Sequence, residues 1–273
     1  MGKHTEIKAK SWNHLQDLLF QDSWDDRLQR YRSGYVYRGL GSFDYTLTTS
    51  LARLGGDYGG LEKHILRNFK KYAQSKTYLN YSPWNWLALA QHHGLPTRLI
   101  DWTYSPYVAL HFATADIQNF NKDGVIWCCN YVKCNNLLPL SLKKVIQAEG
   151  SNTFTAEMLA EVCSGLAELD ELSEDEYVVF LEPPSLDERI TNQYALFSLM
   201  SSAQAHLQEW LEHHTDLFFK IVIPCEMKWE IRDKLDQANI TERVLFPGLE
   251  GLSLWLKRLY SPKTPDAPEI HRP

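Results

Sequence analysis

The chain has 273 residues and a formal net charge of −6 at pH 7. Hydrophobic residues make up 44% and charged residues 23%, an ordinary globular balance that allows a sizeable core. The acidic balance excludes a chain that is basic throughout and built to bind nucleic acid electrostatically, although a local basic patch stays open.

Residues 11–31 read as an amphipathic helix, capped by Ser11, with Leu15, Leu18, Leu19 and Leu28 at roughly helical spacing. Ser33-Gly34 breaks it, and Gly34 to Arg38 is a short β-type run ended by Gly39-Leu40-Gly41. Residues 60–75 look helical. Ser82-Pro83 opens another helix that carries Trp84 to His93 and stops at Gly94, because Ser is a good N-cap and Pro suits the first helical position. Gly94 to Trp102 reads as loop plus a short extended stretch, and Ser105-Pro106 starts a helix in which Ala109, Phe112 and Ala113 pack inward.

Strands are predicted at Gly124–Asn130, Val178–Leu181 and Leu217–Ile223. Helices are predicted near 141–148, 155–168, 201–213, 226–238 and 250–260. Residues 189–197 read as a loop entering a strand. Pro262 to Pro273 carries four Pro and reads as a disordered tail. These elements predict one α+β domain over 1–261, with a helical N-terminal extension over 1–33.

The five Cys have no regular spacing, and residues 1–10 are polar, so reduced thiols and a cytoplasmic setting are expected. No apolar run approaches the ~20 residues of a membrane span, so no membrane partner is expected. Gly39-Leu40-Gly41 has Asp44 where a dinucleotide fingerprint needs its third Gly, and no P-loop, zincin or nucleophile-elbow pattern occurs. Cys128, Cys129 and Cys134 lack the companion ligands of a zinc site, so no metal is expected.

Arg38 ends a strand before a Gly, where a guanidinium can fork onto a phosphate or pair with an internal Asp such as Asp101. Gly39 would let a ligand approach the backbone. His92 and His93 end a helix, where His complements the dipole, and they point about 100° apart, too far to share one metal. Thr97-Arg98-Leu99-Ile100-Asp101-Trp102-Thr103 is the densest polar and aromatic cluster. Arg98 and Asp101 could pair, Trp102 could stack on a base, and Thr103 could bond a ribose, or the cluster could be an internal brace. Arg189 could bind an anion, and Gln193 can both donate to and accept from a ligand hydroxyl. Glu182, after a strand, is the second choice for a catalytic carboxylate.

Tyr37-Arg38-Gly39, the run from Gln91 to Thr103, Ser105-Pro106, and Ala109-Leu110 with Phe112-Ala113 make the chain similar to the FRG family. Arg189, Gln193 and Phe197 match a third family feature, with Ala195 where members often have Gly. Phe246 to Gly251 resembles the family's closing pattern.

The order of these motifs also resembles that of ADP-ribosyltransferases. That resemblance implies a split, mostly antiparallel sheet flanked by helices, and NAD as a candidate substrate. It places Arg38, Gly39, His92, Thr97, Arg98, Trp102, Thr103, Arg189 and Tyr194 around the nucleotide, with a protein or nucleic-acid acceptor. Gln193 stands where such transferases carry Glu. A neutral amide orients a hydroxyl but supplies no charge, so the charge would come from Asp101, His93 or Glu182. The alternatives are a nucleotide- or nucleic-acid-binding sensor without turnover, and a phosphoester hydrolase working through His92 or His93.

Overall fold

The computed structural model describes residues 6–73, 81–185 and 187–262. The predicted Pro-rich tail beyond residue 262 and the last two residues of the helix predicted over 60–75 lie outside them. In chain order the elements are β1 (Glu6–Lys8), α1 (Trp12–Leu19), β2 (Trp24–Asp25), β3 (Arg30–Tyr31), β4 (Val36–Leu40), α2 (Tyr58–Tyr72) and α3 (Pro83–His92). Then come β5 (Ile100–Thr103), α4 (Pro106–Ala113), β6 (Gly124–Cys129), α5 (Tyr131–Cys134), α6 (Leu140–Glu149), α7 (Ala156–Val162), α8 (Leu166–Asp170) and β7 (Val178–Leu181). The chain continues through α9 (Glu188–Asn192), β8 (Ala195–Met200), α10 (Leu207–His213), β9 (Phe218–Ile223), α11 (Lys228–Gln237), α12 (Glu242–Leu245) and α13 (Leu249–Leu259). Among the described residues, no helix is long and apolar enough to cross a membrane.

Seven strands form one sheet in the order β1-β9-β6-β4-β5-β8-β7, all antiparallel except the β1–β9 pair. The fold is therefore α+β with a mostly antiparallel, mixed sheet. Its weakest join is central: β4 and β5 share the single register pair Tyr37–Thr103, whereas β4 pairs with β6 at five positions.

Alternation along the strands sorts the core. Val36, Ile100, Trp102, Val178, Phe180 and Leu196 pack on one face with residues of α10. The other face is covered in two blocks. Helices α3, α6 and α7 pack over β8 and β7, where Leu181, Phe197 and Leu199 face them. Helices α1, α4 and α11 pack over β4, β6 and β9, where Tyr37, Ile126 and Ile221 face them. The central join lies under the gap between the blocks.

Local structure departs from the sequence reading at four points. The stretch predicted helical over 155–168 is broken between α7 and α8, and the loop predicted over 189–197 starts in α9. The helix expected over 11–31 ends at Leu19, and Asp22 and Gln29 then adopt positive φ. The Asp25 carboxylate accepts from the backbone amides of Arg27 and Leu28, at 2.9 and 3.0 Å, and so diverts these groups into a turn between β2 and β3. The helix predicted from 201 begins only at Leu207. By contrast, Ser82 and Ser105 cap α3 and α4 with their side chains, each followed by Pro, as predicted.

Gly39 sets the distance between α4 and β4. A Cβ there would stand 1.8 Å from the Ala109 carbonyl oxygen and 2.7 Å from the Ala113 amide nitrogen. Its hydrogen thus serves helix-on-strand packing, and Gly39 also lines the cavity described below. Both obstructing atoms are backbone and move only with the whole helix. Gly39→Ala should therefore destabilise by about 1–3 kcal/mol or more, read as a lower urea midpoint at unchanged slope.

Behind α4 lies an ionic cluster. Arg258 donates through Nε to Glu242 Oε1 (2.6 Å) and through Nη1 and Nη2 to Asp236 (2.9 and 2.6 Å). Arg232 Nη1 lies 2.8 Å from Nδ1 of the fully buried His111. A guanidinium has no acceptor, so Nδ1 accepts and His111 is neutral. Burial, and then the Arg232 charge, push the His111 pKa down from 6.5 to about 3. Glu242 is held down at about 2: burial opposes its charge, but hydrogen bonds from Arg258 outweigh this.

The signs agree. Below its ordinary pKa of 6.5 the unfolded His111 takes a proton that the folded protein refuses, and below 4.5 the same holds for Glu242. Each contribution is complete above the unfolded value and is lost as pH falls toward the folded one. Stability should fall by up to about 1.4 kcal/mol per pH unit for each group, below pH 6.5 for His111 and only below pH 4.5 for Glu242. Urea titrations between pH 7 and pH 4.5 test this, and His111→Gln, which keeps an acceptor without a titrating ring, should flatten the slope.

Candidate functional site

The gap between the helical blocks holds a cavity of about 240 Å³ lined by residues of β4, α3, β5, α4, α9 and β8. Its floor is the pocket face of β5 and β8, where Asp101 pairs with Phe197 and Thr103 with Ala195. Gln91 and His92 enter from the end of α3, Phe112 from α4, and Arg189, Ile190 and Gln193 from α9 and its exit. The turn after α3 and the capped start of α4 hold β5 between them, so these residues meet although they span over 150 positions.

Arg38 sits where β4 and β5 part. Its Nη1 donates to the Asp101 backbone carbonyl at 2.5 Å and lies 3.7 Å from the carboxylate Oδ2. Its Nε is buried with no hydrogen-bond partner. Burial lowers its pKa, the Asp101 charge works against that, and the nearby positive charge of Arg53 adds to the lowering. The guanidinium thus has spare donors and a like-charged neighbour, so an incoming anion would relieve both.

The Asp101 carboxylate is half exposed and oriented by Gln91, whose Nε2 donates to Oδ1 at 2.9 Å. Thr97 Oγ1 donates to Gln91 Oε1 at 2.5 Å, which fixes the amide with its nitrogen toward Asp101. His92 Nε2 is 2.5 Å from Asp187 Oδ2. Arg189 lies over the Phe246 ring, 5.1 Å from its centroid.

Other predicted site residues take different places. Arg98 is buried and leaves the pocket entirely: Nε donates to both Glu62 oxygens at 2.8 and 3.0 Å, and the Nη atoms bind Asp170. It braces the segment before β5 to α2 and α8, and its partners are Glu62 and Asp170 rather than Asp101. Thr97 is buried and acts only through Gln91. Trp102 borders the cavity from within β5, but its indole packs on the opposite face and Nε1 donates to Ser198 Oγ at 2.8 Å. It cannot stack on a ligand that Asp101 touches, because adjacent strand residues face opposite ways.

The Thr103 hydroxyl lines the cavity but donates to the Gln193 carbonyl at 2.7 Å and accepts from the Ser105 amide. Gln193 Nε2 donates to the Leu245 carbonyl at 2.9 Å, tying α9 to α12. His93 is exposed with its ring edge-on to His92, and Tyr194 is 61% exposed; neither lines the cavity. Glu182 lies outside it as well and accepts from Thr153 Oγ1.

Sequence reasoning gave no site role to Gln91 or Ile190, and it read Phe112 as packing inward from its helix. Gln91 had a usable signal, since it is a polar residue directly after the apolar run Trp86–Ala90, ten positions before an Asp. As for metals, Asp123, Cys225 and Glu226 bring one ligand atom each within 4.8 Å among the described residues. Lys8 Nζ already lies 2.8 Å from Asp123, which supplies a positive charge at that point.

The FRG domain family model matches residues 33–122, a stretch that contains Arg38, Gln91, His92, Asp101 and Thr103 but not α9. The chain is thus similar to that family over about a third of its length. No curated protein and no solved structure matches it.

Proposed function

We propose that the cavity binds the phosphate-bearing part of a nucleotide, with NAD as the substrate, and that the protein cleaves its nicotinamide–ribose bond. One observation supports this most: Arg38, an arginine with a buried unpartnered donor, lines the cavity, and its Nη1 lies 3.7 Å from a carboxylate held in place by Gln91 and Thr97. Arg38, backed by Arg53 and with Arg189 across the cavity, would take the diphosphate.

Asp101 replaces Gln193 as the catalytic group in this reading. Nicotinamide leaves with the bonding electron pair, and positive charge develops on the ribose. The carboxylate stabilises that charge and accepts a proton from the attacking water or acceptor hydroxyl. A protein or nucleic-acid acceptor would make the reaction an ADP-ribosyl transfer, and water would make it a hydrolysis.

A second reading, nucleotide binding without turnover, is favoured by the engagement of the Gln193 amide with Leu245 and by the absence, among the described residues, of any Glu lining the cavity. Nicotinamide release from NAD by the purified protein separates the two. Asp101→Asn should slow release by about 10²–10⁴-fold and leave NAD affinity within a few fold. Saturable NAD binding with no release by the parent protein would establish the binding module. Neither release nor binding would remove both.

A further inference from the structure

We infer that a second site, at the same end of the sheet but on its opposite face, binds the guanidinium of an arginine side chain from a partner protein. It is formed by Tyr104, Tyr131, Tyr194 and Glu182. The inference does not depend on what the cavity holds.

The three rings are arranged around Tyr104. Its centroid is 5.7 Å from that of Tyr131, edge-on, and 5.1 Å from that of Tyr194, tilted by 55°. Tyr131 in turn stands edge-on to Phe180 in the core. Tyr104 and Tyr131 are half-buried against this core, and Tyr194 is largely exposed. The exposed ring of Tyr194 and the open parts of the other two present apolar surface that favours a ligand able to cover it.

Backbone geometry holds the exposed ring there. Tyr194 has φ of 50°, which disfavours an aromatic residue. Its amide donates to the Thr191 carbonyl at 3.0 Å, and its carbonyl accepts from the Tyr104 amide at 3.0 Å. These two bonds fix the ring of Tyr194 against that of Tyr104. Nothing in the cavity uses this arrangement, since Tyr194 does not line it.

The charge is supplied by Glu182. It is exposed and stands two residues after Phe180, so strand alternation puts it on the face of Phe180, whose ring centroid is 6.0 Å from that of Tyr131. Its charge adds to burial in raising the proton affinity of Tyr131, and to burial and Tyr131 in raising that of Tyr104. Oε1 accepts from Thr153 Oγ1 at 2.5 Å, which orients the carboxylate and leaves Oε2 available. No cation among the described residues pairs with it within 4 Å.

The spacing selects the ligand. Rings at 5.1 and 5.7 Å are in contact and form a continuous wall, with no room for an ammonium group enclosed between them. A planar guanidinium needs no enclosure. It lies flat on a ring face and directs its N–H groups to a carboxylate at the edge. A lysine ammonium would have a strongly hydrated point charge to place on the same wall and would gain less.

The test is an NMR titration with three peptides that differ at one residue, acetyl-Gly-X-Gly-amide with X as arginine, citrulline or lysine. The arginine peptide should saturate shifts around Tyr104, Tyr131 and Tyr194, and the isosteric but neutral citrulline peptide should bind at least about tenfold more weakly, one charge-assisted bond's worth. Glu182→Gln, an exposed and conservative change, should lower arginine affinity by a similar factor. Tyr194→Asn, which keeps a residue tolerant of positive φ, should do so without altering the urea midpoint by much. Equal binding of arginine and citrulline peptides, equal binding of arginine and lysine peptides, or no saturable shift at these tyrosines would each overturn the assignment.

Discussion

Arg38→Ala is expected to lower nucleotide affinity by roughly 10- to 100-fold while leaving the fold as stable as the parent, or slightly more stable. A charge-assisted hydrogen bond contributes about 1.5–3 kcal/mol, which sets the scale of the loss. The stability half of the prediction follows from how poorly the folded protein itself satisfies this side chain. Nη1 has one short bond to a carbonyl, Nε is buried without a partner, and Arg53 repels the charge. Removing a group whose desolvation is not compensated should cost little. Calorimetric NAD titration and urea unfolding of the same variant give both halves. A variant destabilised by several kcal/mol with unchanged NAD affinity would make Arg38 a structural tie across the β4–β5 join instead.

Arg98→Leu should behave in the opposite way, costing about 3–5 kcal/mol of stability with NAD affinity of the folded fraction unchanged. Arg98 and Glu62 are both buried, and burial works against the Arg98 charge, yet the hydrogen bonds it donates to Glu62 and Asp170 leave its pKa raised. Take away the cation and Glu62 is left charged in a site with almost no water. The double variant Arg98→Leu with Glu62→Leu should recover part of the loss, because replacing a whole buried pair by apolar groups is far less costly than breaking it. Denaturant midpoints of the two variants decide this. A single-variant loss below about 1 kcal/mol would mean that the site relaxes to admit water, contrary to the burial seen here.

These two arginines also show what could be read from the sequence. Both stand in polar, aromatic surroundings with an Asp a few residues away, and residue types alone do not distinguish them. The difference is made by Glu62, 36 positions before Arg98 and brought to it by α2, a pairing with no local signature. Helix starts were legible because their signals are local: Ser82-Pro83 and Ser105-Pro106 cap α3 and α4 within four residues.

The strand parity of β5 was legible in principle. Ile100 and Trp102 are the apolar pair of a short alternating run, so Trp102 shares a face with Ile100 and not with Asp101. The site prediction placed Trp102 and Asp101 together and so missed this. Strand β1 was not legible, since three residues of mixed polarity carry no pattern and their partner is β9, more than 200 positions away.

That pairing constrains the order in which the chain can assemble. Among the described residues, the first strand of the sheet is matched to the last, with Glu6 opposite Lys220 and joined to it by a 2.9 Å ion pair. During synthesis the early segment must wait unpaired while more than two hundred residues are added. Closing so long a loop before any contact forms is slow. When β9 forms against β6, its outer edge is a row of open backbone donors and acceptors until β1 arrives. A shortened protein that lacked β1 would keep that edge open for good, and nascent or truncated chains would be drawn to one another there.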